Sequence, residues 1–132
     1  MITEADIENL KRAKAAIYAA CSILVRQLNL SLDDIKKIYI AGGFGTCVNV
    51  ENAINIGLLP DVARDKLIFV GNSSQAGACQ VLLSYQAMKQ VEDIAKKVTY
   101  FELSVESNYM DEYMAAMFFP HTDLTRFPGV GV

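Results

Sequence analysis

Ile38-Tyr39-Ile40-Ala41-Gly42-Gly43-Phe44-Gly45 is a short apolar run that stops at three glycines within four residues. Apolar, β-favouring residues bounded by turn signals read as a buried strand ending in a tight loop. Glycine lets backbone turn with positive φ, and approach a ligand with no Cβ in the way. In an α/β protein such a loop is aimed at the binding crevice outside the carboxyl ends of the strands. The stretch therefore predicts one wall of a ligand site.

Further along, Lys66-Leu67-Ile68-Phe69-Val70 reads as a second buried strand, ending in Gly71-Asn72-Ser73-Ser74. Each loop leads into a helical pattern. After the first, residues 51–57 form a short helix stopped by Gly57, with Pro60 just beyond. After the second, Asn72 or Ser73 caps a helix beginning at Gln75, and Ser84 divides it from the next, whose face is Ala87, Val91, Ile94 and Ala95. Strands separated by helices pair in parallel through right-handed crossovers, so the class is α/β. Both loops then lie at one carboxyl edge. Backbone N–H groups at Gly42, Gly43, Phe44 and Gly45, and at Asn72, Ser73 and Ser74, are candidates to hold phosphate or ribose oxygens. Ordinary tight turns are the plain alternative. Neither loop is a GxGxxG, and no GxxxxGK[ST] occurs, which excludes a dehydrogenase or P-loop assignment.

Upstream, Thr3 caps a helix over residues 4–28, with Glu4 and Asp6 in its first turn. Ile7, Leu10, Lys14, Ile17, Cys21, Leu24 and Leu28 recur at steps of three or four, and all but Lys14 are apolar, which predicts one buried face. Cys21 is expected as a small core residue on that face. Ser31 caps a short helical turn. Downstream, residues 98–103 are rich in β-branched and aromatic side chains and predict a third strand. Ser107 caps a last helix from Tyr109 to Phe119, whose methionine and aromatic stripe is expected to be core. Residues 120–132 are expected to form an irregular, loose tail after a domain over residues 1–119.

Length fits a single domain: 132 residues, 52% hydrophobic and 20% charged, with net charge −3. No basic stripe points to nucleic acid. No apolar run approaches the ~20 residues of a membrane span. Cys21, Cys47 and Cys79 are dispersed, with no CxxC and a single histidine, His121. That pattern supports neither a zinc site, nor an iron–sulfur ligand set, nor a disulfide framework, and it suits a reducing cytoplasm. His121 is expected to be structural or solvent-facing. Cys47 lies near the glycines with no cationic neighbour evident to favour a thiolate. Asp61, Asp65, Asp111 and Glu112 are acids whose common role is at a surface. A carboxylate-held magnesium with phosphate donors from several segments, which phosphoryl transfer needs, cannot be assembled.

The order of motifs is itself informative. Residues 38–45, then Glu51-Asn52-Ala53, Ile56-Gly57-Leu58-Leu59-Pro60, Gly71-Asn72-Ser73-Ser74 and Ala76-Gly77-Ala78 resemble the C-terminal region of the ATP-dependent reductive activators of corrinoid proteins. These are the iron–sulfur activating enzymes of methyltransferase and O-demethylase systems. Lys11 to Ile17, Met110-Asp111-Glu112-Tyr113 and Phe119-Pro120-His121-Thr122-Asp123 resemble the same family, so the likeness covers nearly the whole chain. It implies a three-layer actin-like, ribonuclease H-like half-domain, with a small parallel sheet flanked by helices and incomplete here. It places Gly42, Gly43, Phe44 and Gly45 in that superfamily's adenosine motif.

The resemblance also implies ATP or ADP with magnesium as cofactor, an iron–sulfur cluster in the parent protein, and a corrinoid protein as partner. The parent would return cobalt(II) corrinoid to cobalt(I). This chain departs from the family pattern in lacking cluster cysteines and the two glycine–aspartate phosphate hairpins. It is therefore expected to be the last part of a longer protein, with no turnover of its own and the remainder of the parent chain as a partner. A strand edge left bare predicts association, including a homodimer. Two alternatives accompany this reading: a docking module for the corrinoid protein built on residues 109–119, or part of another actin-like ATPase activator.

Overall fold

The computed structural model describes residues 1–43 and 47–131. In chain order the elements are α1 (Glu4–Gln27), β1 (Ile38–Ala41), α2 (Val50–Asn55), β2 (Leu67–Gly71), α3 (Ser73–Leu83), α4 (Tyr85–Ala95) and α5 (Tyr109–Ala116). Single 3-10 turns lie at Leu32–Asp34, Arg64–Lys66, Leu103–Val105 and Leu124–Arg126. Two compact units divide the chain: residues 1–36, 48–66 and 102–132, and residues 37–47 and 67–101. Among the described residues, no helix is long and apolar enough to cross a membrane.

The first unit is helical. Thr3 and Asp6 close a capping box: the Asp6 N–H donates to Thr3 Oγ1 at 3.3 Å, and the Thr3 N–H to Asp6 Oδ2 at 2.9 Å. The buried side of α1 is Lys14, Ala15, Tyr18, Ala19 and Ile23. This corrects the predicted face, because Ile7, Leu10, Ile17, Leu24, Leu28 and Cys21 are all exposed. The alanines let α5 pack closely on α1, and Lys14 is admitted because carbonyl acceptors reach its ammonium. Lys14 Nζ donates to the Phe118 carbonyl, and to that of Pro120 at 2.7 Å, and stands 5.2 Å from the centre of the Phe119 ring. Burial, with Lys11 nearby, brings its pKa down to about 8.

The last helix is shorter than predicted, Tyr109–Ala116, and Asn108 rather than Ser107 precedes it. Its buried residues are Glu112 and Ala116. The expected methionine core is not formed within this unit, since Met110, Met114 and Phe118 are exposed.

The segment after α5 corrects the expectation of a loose tail. Pro120, His121 and Phe127 are buried. Tyr18 on α1 lies 5.3 Å from the His121 ring and 5.4 Å from that of Phe127. Glu112 binds this segment to α1: its carboxylate accepts from Arg26 Nη2 at 3.0 Å and from Arg126 Nη1. Burial opposes the Glu112 charge, yet the two guanidiniums and the Ser22 hydroxyl hold its pKa below the usual value. His121 is structural and buried rather than solvent-facing. Its Nδ1 accepts from the Asp123 N–H at 2.9 Å, and Nε2 lies 3.8 Å from Glu112 Oε1. Burial first, then the Arg126 charge, holds its pKa below the ordinary one.

α2 adds Ala53 and Ile54 to this core. Gly57 follows at φ +74°, where an ideal Cβ would stand 2.1 Å from the Pro120 carbonyl oxygen. No other residue fits there. Asp61 ties down the far end of the segment, accepting from the Gly129 N–H at 2.6 Å.

The second unit holds the sheet. β1 and β2 pair in parallel, with Ile38 opposite Leu67, Tyr39 opposite Ile68, Ile40 opposite Phe69 and Ala41 opposite Gly71. The register slips between Ile40 and Ala41, so Val70 is the extra residue of a bulge. Both strands were expected to be buried, yet in β1 burial alternates between intermediate and exposed, and in β2 only Leu67 is buried. The third strand predicted at 98–103 does not form: residues 98–102 are irregular and Leu103 begins a 3-10 turn. Its propensity has no described strand to pair with, and propensity without a partner does not make a strand. Ser84 divides α3 from α4 as predicted, its Oγ accepting from the Ala87 N–H at 3.3 Å.

Candidate functional site

The bulge in β2 decides how the two loops meet. Because Gly71 rather than Val70 stands opposite Ala41, its carbonyl accepts a hydrogen bond of 2.7 Å from the Gly42 N–H. The strand ends are thereby tied together one residue beyond the last paired position. Gly42 has φ +74° and Gly71 φ +61°, a conformation that side-chain-bearing residues rarely adopt. Gly43 needs no such conformation. Above all three glycines, an ideal Cβ would meet nothing within 4 Å among the described residues. The result is a shelf of backbone at the carboxyl edge of the strand pair, exposed at Gly42 and Gly43 and half-buried at Gly71.

Beyond the shelf, Asn72 is the N-cap of α3: its Oδ1 accepts from the Gln75 N–H at 3.1 Å. Its side-chain oxygen is thus occupied by capping, which leaves the helix amino end, with Ser73 first, exposed beside the shelf. Of the residues predicted from sequence, Gly42, Gly43, Asn72 and Ser73 lie at these two strand ends. Phe44 and Gly45 lie outside the described residues. Gly71 is the participant that sequence reasoning passed over as a site residue, although its place at a strand end, matching Gly42, carried the signal.

Glu112 and His121 belong to the buried cluster of the helical unit, and Asp61 is held by Arg64 Nη1 at 2.8 Å. Cys47 and Cys79 are exposed. Among the described residues, no group of three or more His, Cys, Asp or Glu side chains could hold a metal ion.

A sequence profile described as the C-terminal domain of RACo, the ASKHA domain, matches residues 1–131. The chain belongs to this family. Two characterised relatives extend the likeness. The corrinoid activation enzyme RamQ of Eubacterium limosum is 34% identical over 114 residues, 86% of this chain and 19% of that protein. A [Co(II) methylated amine-specific corrinoid protein] reductase of Methanosarcina barkeri is 35% identical over 98 residues, 74% of this chain and 18% of that one. A solved structure, a reductive activator for corrinoid,iron-sulfur protein, is 53% identical with a TM-score of 0.92, and covers 98% of this chain and 20% of its own. The chain thus spans about a fifth of the length of the proteins it matches.

As a RACo C-terminal ASKHA domain, the chain has the fold class its sequence predicted: an actin-like α/β half-domain with a small parallel sheet flanked by helices.

Proposed function

We propose that this chain is the nucleotide-binding part of an ATP-dependent reductive activator, one that returns inactive cobalt(II) corrinoid proteins to the cobalt(I) state. The observation that carries the reading is the bare shelf formed by Gly42, Gly43 and Gly71 at the end of a parallel strand pair. The relatives, which are named for acting in corrinoid activation, support the choice of partner. The Gly42 N–H is committed to the Gly71 carbonyl. It therefore cannot donate to a phosphate oxygen, and the shelf meets the flat nucleoside face by close approach of backbone. Gly43, Asn72 and Ser73 complete the wall; Phe44 and Gly45 are assigned to the same site on the family resemblance alone. When bound, ATP supplies the free energy that makes an uphill electron transfer from an iron–sulfur cluster possible. Magnesium, that cluster and the phosphate hairpins are assigned to other parts of the complete protein.

Calorimetric titration of the complete protein with ATP or a non-hydrolysable analogue tests this. Among the described residues nothing lies within 4 Å of a Cβ at Gly43, and its φ is not left-handed, so Gly43→Val is expected to keep the fold while filling the shelf. Affinity is expected to fall at least tenfold; equal affinity in both proteins would sink the assignment.

A second reading is favoured by one feature of the helical unit. Ile7, Lys11, Met114, Met117, Phe118 and Phe119 line a groove of about 480 Å³. Methionine-rich surfaces adapt to partners, and a corrinoid protein docked here would explain the exposure of Met114 and Phe118. Pull-down of a corrinoid protein by the Met114→Asp, Phe118→Asp variant would be unimpaired if docking lies elsewhere. Self-association through the open strand edges is also proposed, and a monomer in sedimentation at high concentration counts against it.

A further inference from the structure

We propose that Gly71 is a positioning residue for the shelf: its left-handed backbone presents the carbonyl that fixes Gly42, and with it the plane offered to a nucleoside. The proposal rests on the nucleotide reading above and adds a residue that reading does not require. Three observations converge. The β2 bulge brings Gly71, not Val70, opposite Ala41. The Gly71 carbonyl then takes the Gly42 N–H at 2.7 Å, the first hydrogen bond past the paired strands. Gly71 reaches this arrangement at φ +61°, with nothing among the described residues within 4 Å of the site a Cβ would occupy.

The last point separates conformation from packing. Among the described residues a methyl group at Gly71 has no neighbour to strike, so its effect on the shelf acts through backbone strain. Without the Gly71 carbonyl in place, Gly42 loses the hydrogen bond that ties it to the second strand. Gly71 also immediately precedes Asn72, so the same left-handed residue delivers the N-cap that starts α3. Strain at one position would therefore disturb the loop of each strand.

The test uses the complete protein and two substitutions. Gly71→Ala forces a residue with a Cβ into the left-handed region, whereas Gly71→Asn places there the side-chain-bearing residue that tolerates it best. Adenosine and ADP are titrated by calorimetry, and hydrogen exchange of the Gly42 amide is followed. Gly71→Ala is expected to weaken both ligands by about the same factor, roughly tenfold for a strained non-glycine residue, and to speed exchange at Gly42. Gly71→Asn is expected to restore protection at Gly42 and most of the affinity. Wild-type affinity together with faster Gly42 exchange in Gly71→Ala overturns the positioning role while leaving the site assignment intact. So does weakened binding with Gly42 still protected. A wild-type protein that binds neither adenosine nor ADP overturns the site, and the proposal with it.

Discussion

The helical unit and the strand unit are built from similarly apolar sequence, yet they bury it very differently. In the helical unit a charged residue, Lys14, is fully buried, and Glu112 and His121 are nearly so. In the strand unit Leu82, Leu83, Tyr85, Val91 and Ile94 are half-exposed or more, and neither α3 nor α4 has a buried residue. Polarity therefore does not decide what is inside. The helical unit buries charges because each finds partners: carbonyls for Lys14, and guanidiniums for Glu112. The strand unit leaves its apolar groups exposed because a two-stranded sheet has too little surface to cover them.

The largest effects should fall on the helical unit. Gly57→Ala would drive a Cβ into the Pro120 carbonyl and impose a left-handed residue. A loss of about 3–4 kcal/mol in chemical denaturation is expected, the sum of overpacking and backbone strain. A change below about 1 kcal/mol would mean that the segment after α5 is not closely held. Next, Glu112→Ala leaves the guanidiniums of Arg26 and Arg126 without their shared carboxylate. The cost should be about 2–3 kcal/mol, toward the low end for a broken buried pair because both arginines are partly exposed. A near-neutral result would place Glu112 among surface acids after all.

A smaller effect should appear with pH. His121 has a folded pKa below its ordinary value, so as pH falls through the unfolded pKa the unfolded chain takes up the proton first. Stability should therefore decline from near pH 6.5 downward, and the slope should flatten in His121→Gln. A slope unchanged by that substitution would assign the decline to other groups. Glu112, whose pKa is also lowered, contributes stability above its unfolded pKa that is lost only at more acidic pH. The smallest effect belongs to the strand unit. Leu83→Ser, at a position 88% exposed, should change stability by no more than about 0.5 kcal/mol. A larger loss would break the contrast between the units.

Local signals in the chain proved good guides to element positions. Thr3, Ser31, Asn72 and Ser84 each mark a helical start, because a cap is a bargain among residues three apart in sequence. Gly57 marks a stop for the same kind of reason. Burial was less legible. The stripe from Ile7 to Leu28 has helical spacing, but the neighbouring Lys14, Tyr18 and Ile23 line is the buried one. The lysine inside that stripe was the one visible sign, and its meaning depended on carbonyls more than a hundred residues away.

The site divides along the same line. Sequence by itself determined that two strands end in glycine, that each leads to a capped helix, and that the order of these pieces resembles one family. These are properties of neighbours along the chain, where a backbone's need for glycine or a cap is written directly. Only the tertiary structure decided that Gly71, through a one-residue slip in register, holds Gly42, with no described side chain or backbone within 4 Å of its missing Cβ. Register is a relation between segments about thirty residues apart, fixed by how side chains and hydrogen bonds match across the pair, and no local pattern encodes it.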